Sequence, residues 1–143
     1  RASDPRNFPI YEAAIERSIP VLLHCFEFAF EHAPNQSNAV DFRDAAMRYP
    51  ECTFIMAHMS GRFVTGVEAA VGLPNAYVDL CGTYGELAMV DYAVEKLGAD
   101  RVLFGSDMPG SDVYHNIGKV TGASISPEER EMILYRNAER VLP

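Results

Sequence analysis

The chain has 143 residues, 48% of them hydrophobic, with 20 acidic against 12 basic side chains and a formal charge of −8. That length supports one ordinary core, and no stretch reaches the roughly 18 uninterrupted apolar residues of a membrane span. Acids and bases are interspersed without blocks, which argues against a nucleic-acid or anionic-membrane surface and toward a small-molecule or protein partner.

After Pro9, residues Ile10, Ala13, Ala14 and Arg17 mark one face of a first helix, and Ile19-Pro20 lead into a strand over 20–25. Residues 26–38, aromatic and then rich in Pro, Asn and Ser, read as a loop. Phe42, Ala45, Ala46 and Tyr49 recur at i, i+3, i+4 and i+7, marking a second helix that Pro50 ends before a strand at 53–58. Gly61 opens a third helix with Phe63, Val64, Val67, Ala70 and Val71 on one side, and Pro74-Asn75 returns the chain to a strand at 76–80. Leu87, Val90, Ala93, Val94 and Leu97 predict a fourth helix with Gly98 at its C′ position, followed by a strand over 101–106. Ser126-Pro127-Glu128-Glu129 supplies an N-cap, a proline at N1 and a glutamate at N3 for a last helix reaching about Val141.

Four strands and five helices in alternation imply an α/β protein with a parallel sheet, either open and doubly wound or an arc of a (β/α)8 barrel. No G-x-G-x-x-G or G-x-x-x-x-G-K-[ST] follows a strand, so the phosphate-binding turn of dinucleotide and P-loop proteins is missing. Three apolar runs end in a potential metal ligand: Val21-Leu22-Leu23-His24, Phe54-Ile55-Met56-Ala57-His58 and Val102-Leu103-Phe104-Gly105-Ser106-Asp107. Catalytic groups of a parallel sheet sit where strands end in loops, so two imidazoles and a carboxylate can converge on one ion, which favours the barrel.

Cys25, Cys52 and Cys81 are odd in number and widely spaced, which predicts neither a disulfide framework nor a zinc ribbon and suits a reducing cytoplasm. The chain opens at Arg1 with neither an initiator Met nor an apolar signal core and is read as a truncation. Strand alternation turns Cys25 to the face opposite His24, as a small buried hydrophobe. Asp79 within an apolar strand needs a partner, and Arg101 on the next strand is the expected one. Arg62, just after His58-Met59-Ser60-Gly61, is a candidate for gripping a substrate carboxylate. His32 and His115 read as solvated loop histidines, and Phe26, Phe28 and Phe30 as residues that wall a pocket or pack under the loop.

Pro20-Val21-Leu22-Leu23-His24, Tyr49-Pro50 with Phe54-Ile55-Met56-Ala57-His58-Met59-Ser60-Gly61, Asn75-Ala76-Tyr77-Val78-Asp79-Leu80, Asp100-Arg101-Val102-Leu103-Phe104-Gly105-Ser106-Asp107-Met108-Pro109 and Asn137-Ala138 occur in this order over nearly the whole chain. Together they resemble the amidohydrolase-related family of metal-dependent TIM-barrel enzymes, in the branch of aminocarboxymuconate-semialdehyde decarboxylase-like and 2-pyrone-dicarboxylate lactonase-like proteins. The resemblance implies that residues 1–143 are a single partial domain, the C-terminal half of a (β/α)8 TIM barrel with strands five to eight, since an intact barrel needs about 250 residues. The His-x-His that holds the family's metal on the first strand is not among these residues. By the same resemblance, His24 is the fifth-strand metal ligand, and Asp107, ending strand eight, binds metal and accepts a proton from water. His58 is the sixth-strand histidine, catalytic first and a ligand second. Cys81 stands where the family often has serine and is expected to pack near the pocket floor.

The implied cofactor is a divalent ion, zinc before manganese or iron(II). The implied activity is hydrolysis of a C–N or C–O bond or decarboxylation of a small acid, with a carboxylate, ester, lactone or amide as substrate. Without His-x-His, weak metal binding and little turnover by this half alone are expected. Two alternatives stand beside this reading. One is a non-catalytic half-barrel that forms a homo-oligomer, or docks onto a separate N-terminal half, through its unpaired strand edges. The other is an open-sheet binding module whose histidines are incidental.

Overall fold

The computed structural model describes residues 1–27, 35–82, 85–86 and 88–143. Four strands, β1 (Val21–His24), β2 (Phe54–Ala57), β3 (Ala76–Asp79) and β4 (Val102–Leu103), form one sheet in the order β1-β2-β3-β4. All three pairings are parallel. Helices α1 (Phe8–Arg17), α2 (Ala39–Arg48), α3 (Phe63–Ala70) and α4 (Met89–Leu97) alternate with the strands, and α5 (Val113–Thr121), α6 (Pro127–Glu131) and α7 (Asn137–Val141) follow β4. An open doubly wound sheet reverses its strand order at one point, whereas a barrel adds each strand beside the last. The sequential order is that of a barrel arc.

Side-chain alternation within the register divides the sheet into two faces. Phe54, Met56, Ala76, Val78 and Val102 are fully buried and join Tyr11, Phe42, Val67 and Val90 of the helices in one core, with Val21 and Leu23 packed against it. The other face carries Leu22 and His24, then Ile55 and Ala57, then Tyr77 and Asp79, then Leu103. Leu22 on this face is 62% exposed. Ile55, Ala57, Asp79 and Leu103 on this face are buried, while the helices pack on the opposite one, as in an arc of a (β/α)8 barrel.

Several elements depart from the sequence expectation. No helix was expected between the fourth strand and Ser126, yet α5 lies there; Asp112 caps it by accepting from Tyr114 N–H and His115 N–H. Val113, Ile117 and Val120, at i, i+4 and i+7, were its available signal. The strand expected over 101–106 is only Val102–Leu103, because Phe104 N–H donates to the Ile133 carbonyl at 2.9 Å instead of to a strand. That carbonyl belongs to a π-helical turn, Met132–Arg136, joining α6 to α7, and such turns free carbonyls from the helical ladder. Ser126 and Glu129 form the expected capping box. In α3 the buried residues are Gly66, Val67 and Ala70, while Val64, assigned to that face from the sequence, is 47% exposed.

Candidate functional site

The backbone leaving β2 turns sharply. His58, Met59, Ser60 and Gly61 have φ of 62°, 45°, 63° and 71°, four consecutive residues in the left-handed region. Each non-glycine there costs roughly 1–2 kcal/mol, so the turn persists only because its surroundings over-determine it. Asp79 Oδ1 accepts from His58 N–H at 2.9 Å, and Glu27 N–H donates to the Ser60 carbonyl at 2.8 Å. Gly66 packs so closely that a Cβ there would lie 2.1 Å from the Met59 carbonyl oxygen. Asp107 beyond β4 is also left-handed, with φ of 54°. Both non-standard turns present candidate reactive side chains at strand ends.

These ends converge. Donor atoms of His58, Cys81 and Asp107 all lie within 4.8 Å of one another. The His24 ring stands edge-on to that of His58 with centroids 5.0 Å apart, and Phe26 packs against both imidazoles. Gly82 lies between His58 and Asp107: a Cβ there would come within 2.8 Å of His58 Nδ1 and 3.8 Å of Asp107 Oδ2, so the absent side chain leaves a gap between two donors. Desolvation by the protein around it, and then the His58 charge, lower the pKa of His24, with Asp107 opposing. A lowered pKa favours the neutral imidazole that binds metal. The His58 imidazole and the Asp107 carboxylate flank this gap, with the His24 imidazole beside His58, donor types that suit a divalent cation.

The sheet side of the site is clamped from below. Asp79, 6% exposed, accepts from Cys81 N–H at 3.0 Å with the same oxygen that holds His58 N–H. The expected Asp79–Arg101 pair does not form, because the parallel register places Asp79 beside Leu103, two residues beyond Arg101. Arg101 instead donates to the carbonyls of Leu97, Ala70 and Leu73. Lys119 of α5 extends its ammonium to the Leu80 carbonyl, the Gly82 carbonyl and Asn116 Oδ1, each at 2.8 Å, bracketing Cys81. Burial lowers the Lys119 pKa. Burial, followed by the charge of Asp79, pushes the Cys81 thiol up.

Cys81, expected as a packing residue, thus lies within the donor cluster, with Sγ 3.3 Å from His58 Nδ1. Cys25 is fully buried on the core side of β1. Arg62 stands exposed at the start of α3 and makes no side-chain hydrogen bond among the described residues. His115 belongs to α5 rather than to a loop, and borders a cleft of about 450 Å3 together with Glu86, Met89 and Lys119. His32, Phe28 and Phe30 lie outside the described residues. Asp79, Glu27 and Lys119 were missed as supports of the site; an isolated carboxylate inside an apolar strand was the one available signal, and it was read toward the wrong partner.

A one-sided parallel sheet with histidines and an aspartate at its strand ends defines the class, half of a TIM-barrel enzyme scaffold. The sequence matches the amidohydrolase family over residues 1–143, and the chain belongs to that family. An uncharacterised TIM-barrel protein from Bordetella bronchiseptica superposes with a TM-score of 0.81 at 24% identity, over 99% of this chain and 51% of that one. A dihydroxybenzoic acid decarboxylase from Polaromonas, solved with manganese and the inhibitor 2-nitroresorcinol, superposes with a TM-score of 0.72 at 20% identity, over 97% of this chain and 54% of that one. A gamma-resorcylate decarboxylase of Polaromonas is 31% identical over 67 residues, 47% of this chain and 20% of that protein. The chain therefore spans about half the length of these solved barrels. No helix among the described residues is long and apolar enough to cross a membrane.

Proposed function

We propose that this chain is the C-terminal half, strands five to eight, of a metal-dependent amidohydrolase-type enzyme that decarboxylates a small hydroxylated aromatic acid. The observation that carries the site is the meeting of three strand ends, with His58 and Asp107 donors within 4.8 Å and the His24 ring 5.0 Å from that of His58. The substrate class is supported by the 31% identity to a gamma-resorcylate decarboxylase over 67 residues. His24, His58 and Asp107 would hold a zinc or manganese ion, whose chemistry when bound is Lewis-acid polarisation of substrate oxygens.

The protein's own groups then bind, orient and move protons. Asp107 accepts a hydrogen bond from a substrate hydroxyl, and Arg62 meets a substrate carboxylate. As the ring-to-carboxylate C–C bond breaks, its electron pair remains on the ring carbon, that carbon takes the proton Asp107 has drawn from the substrate hydroxyl, and CO2 departs, leaving the product as its phenolate. Asp79 aims His58 by holding its backbone N–H. In the hydrolytic version of the same site, Asp107 takes the proton of the attacking water instead.

The test uses Mn2+ and 2,6-dihydroxybenzoate as probes. Free Mn2+ measured by electron paramagnetic resonance is expected to fall on adding the chain and to stay unchanged with His24→Ala or Asp107→Ala. Line broadening of the acid's proton resonances should require both ion and wild-type site. Metal binding without any effect on the acid would sink the decarboxylase reading and leave the metal site standing. A second reading is favoured by the exposure of Leu22 at 62%, Ile10 at 59% and Ile19 at 41%: a half-barrel that associates through this side.

A further inference from the structure

We propose that Cys81 is a metal ligand of this chain, joining His58 and Asp107 as a nitrogen, sulfur and oxygen donor set for a thiophilic divalent cation of the zinc class. The inference rests on the reading of His58 and Asp107 as metal-facing groups and adds to it the third strand, to which no ligand has been assigned.

Distances support the set. Donors at the corners of a tetrahedral zinc site, with bonds of about 2.0–2.3 Å, stand roughly 3.3–3.6 Å apart. Cys81 Sγ and His58 Nδ1 are already 3.3 Å apart, and the whole set lies within 4.8 Å, a gap that rotation of the exposed Asp107 side chain can close. The cysteine is also held where it is. One carboxylate oxygen of Asp79 accepts from the backbone N–H of both Cys81 and His58, which fixes the two ligand-bearing residues against each other. Lys119 holds the carbonyls on either side, those of Leu80 and Gly82. Gly82, with φ of +99°, leaves open the space beside His58 and Asp107 that any side chain would fill.

The other cysteines lack this setting. Cys25 is fully buried on the core side of β1, and Cys52, 1% exposed, has only the Thr53 carbonyl as a thiol partner among the described residues. A thiolate changes which ions the site prefers: sulfur favours zinc and cobalt, whereas nitrogen and oxygen donors suffice for manganese. On binding, the Cys81 S–H bond breaks, a sulfur–metal bond forms, and the proton passes to solvent.

Cobalt(II) is the probe, since a thiolate ligand produces a near-ultraviolet sulfur-to-cobalt charge-transfer band that nitrogen and oxygen donors do not. The full chain titrated with Co2+ is expected to show this band and to release one proton per ion from the thiol. Cys81→Ser should lose both, weaken Zn2+ binding by about tenfold or more, and change Mn2+ binding by less than about threefold. Retained Mn2+ binding in that variant also shows that its fold survives. A band that persists in Cys81→Ser would overturn the proposal by placing the sulfur elsewhere. Co2+ binding by the wild type without the band would overturn it and leave the His24–His58–Asp107 reading intact. Failure of Co2+ and Mn2+ alike to bind would sink both.

Discussion

Asp79 is a buried carboxylate whose single oxygen serves two backbone donors, one on each of two site-bearing segments. Asp79→Ala strands both N–H groups, and urea denaturation should register a loss of about 2–5 kcal/mol. Asp79→Asn keeps an acceptor oxygen and should lose less than half of that; equal losses would show that charge rather than acceptance matters. Titrating groups give a second expectation. Burial raises the Tyr11 phenol to about 12, the Cys25 thiol to about 12 and the Cys52 thiol to about 11, and lifts Cys81 as well. A raised pKa means that the folded chain keeps protons the unfolded chain gives up. These groups therefore contribute stability that is complete below pH 9 and is lost as pH climbs toward the folded values. Lys119, with its pKa lowered by burial, acts in the opposite sense below its ordinary 10.5, one group against four. Melting temperature should drop between pH 9 and 11.5, and Cys25→Ala should flatten that drop relative to its own value at pH 7.

At the scale of the element, the left-handed turn after β2 is the least ordinary piece of backbone, and α3 holds it. Gly66→Ala would drive a Cβ into the Met59 carbonyl, 2.1 Å away, and neither backbone can yield without dislodging His58. A loss of about 3 kcal/mol or more is expected, with Mn2+ binding falling in the fraction that stays folded. Intact Mn2+ binding in this variant would show that the turn tolerates displacement. By contrast Ser126→Ala, which removes the cap of α6, should cost about 1 kcal/mol and leave Mn2+ binding unchanged, because that helix start is exposed and carries no residue of the site.

For the molecule as a whole, exposed apolar surface gathers on the β1 side. Among the described strands β1 pairs only with β2 and β4 only with β3, so neither outer edge has a strand partner in this sheet. With Ile10, Ile19 and Leu22 exposed beside that edge, light scattering at tens of micromolar should report a dimer or larger species. Leu22→Glu should shift it toward monomer without lowering helix content. A wild-type chain that is monomeric under these conditions would remove the self-association reading.

Most of the elements were legible because they rest on local patterns: the apolar runs of β1 to β3, the helical spacing of α1 and α2, the capping box of α6. Two elements were misjudged, one for a non-local reason and one because its local signal was sparse. β4 stops early because a π-helical turn some thirty residues later takes its next N–H, and α5 sits behind a polar stretch whose three apolar positions gain meaning only against the sheet. The three strand-end candidates His24, His58 and Asp107 could be picked from sequence because each closes an apolar run. Their meeting could not, since strand order, register and four successive left-handed residues set it. Periodicity alone did not separate barrel from open sheet; the strand-end ligands and the family resemblance pointed to the barrel, and the sequential strand order is that of one. Composition and periodicity determined that this is a parallel α/β chain with ligand-type residues at strand ends. Tertiary structure alone decided that Asp79 serves the His58 N–H instead of Arg101, and that Cys81 stands beside His58 and Asp107, because both depend on contacts between residues more than twenty positions apart.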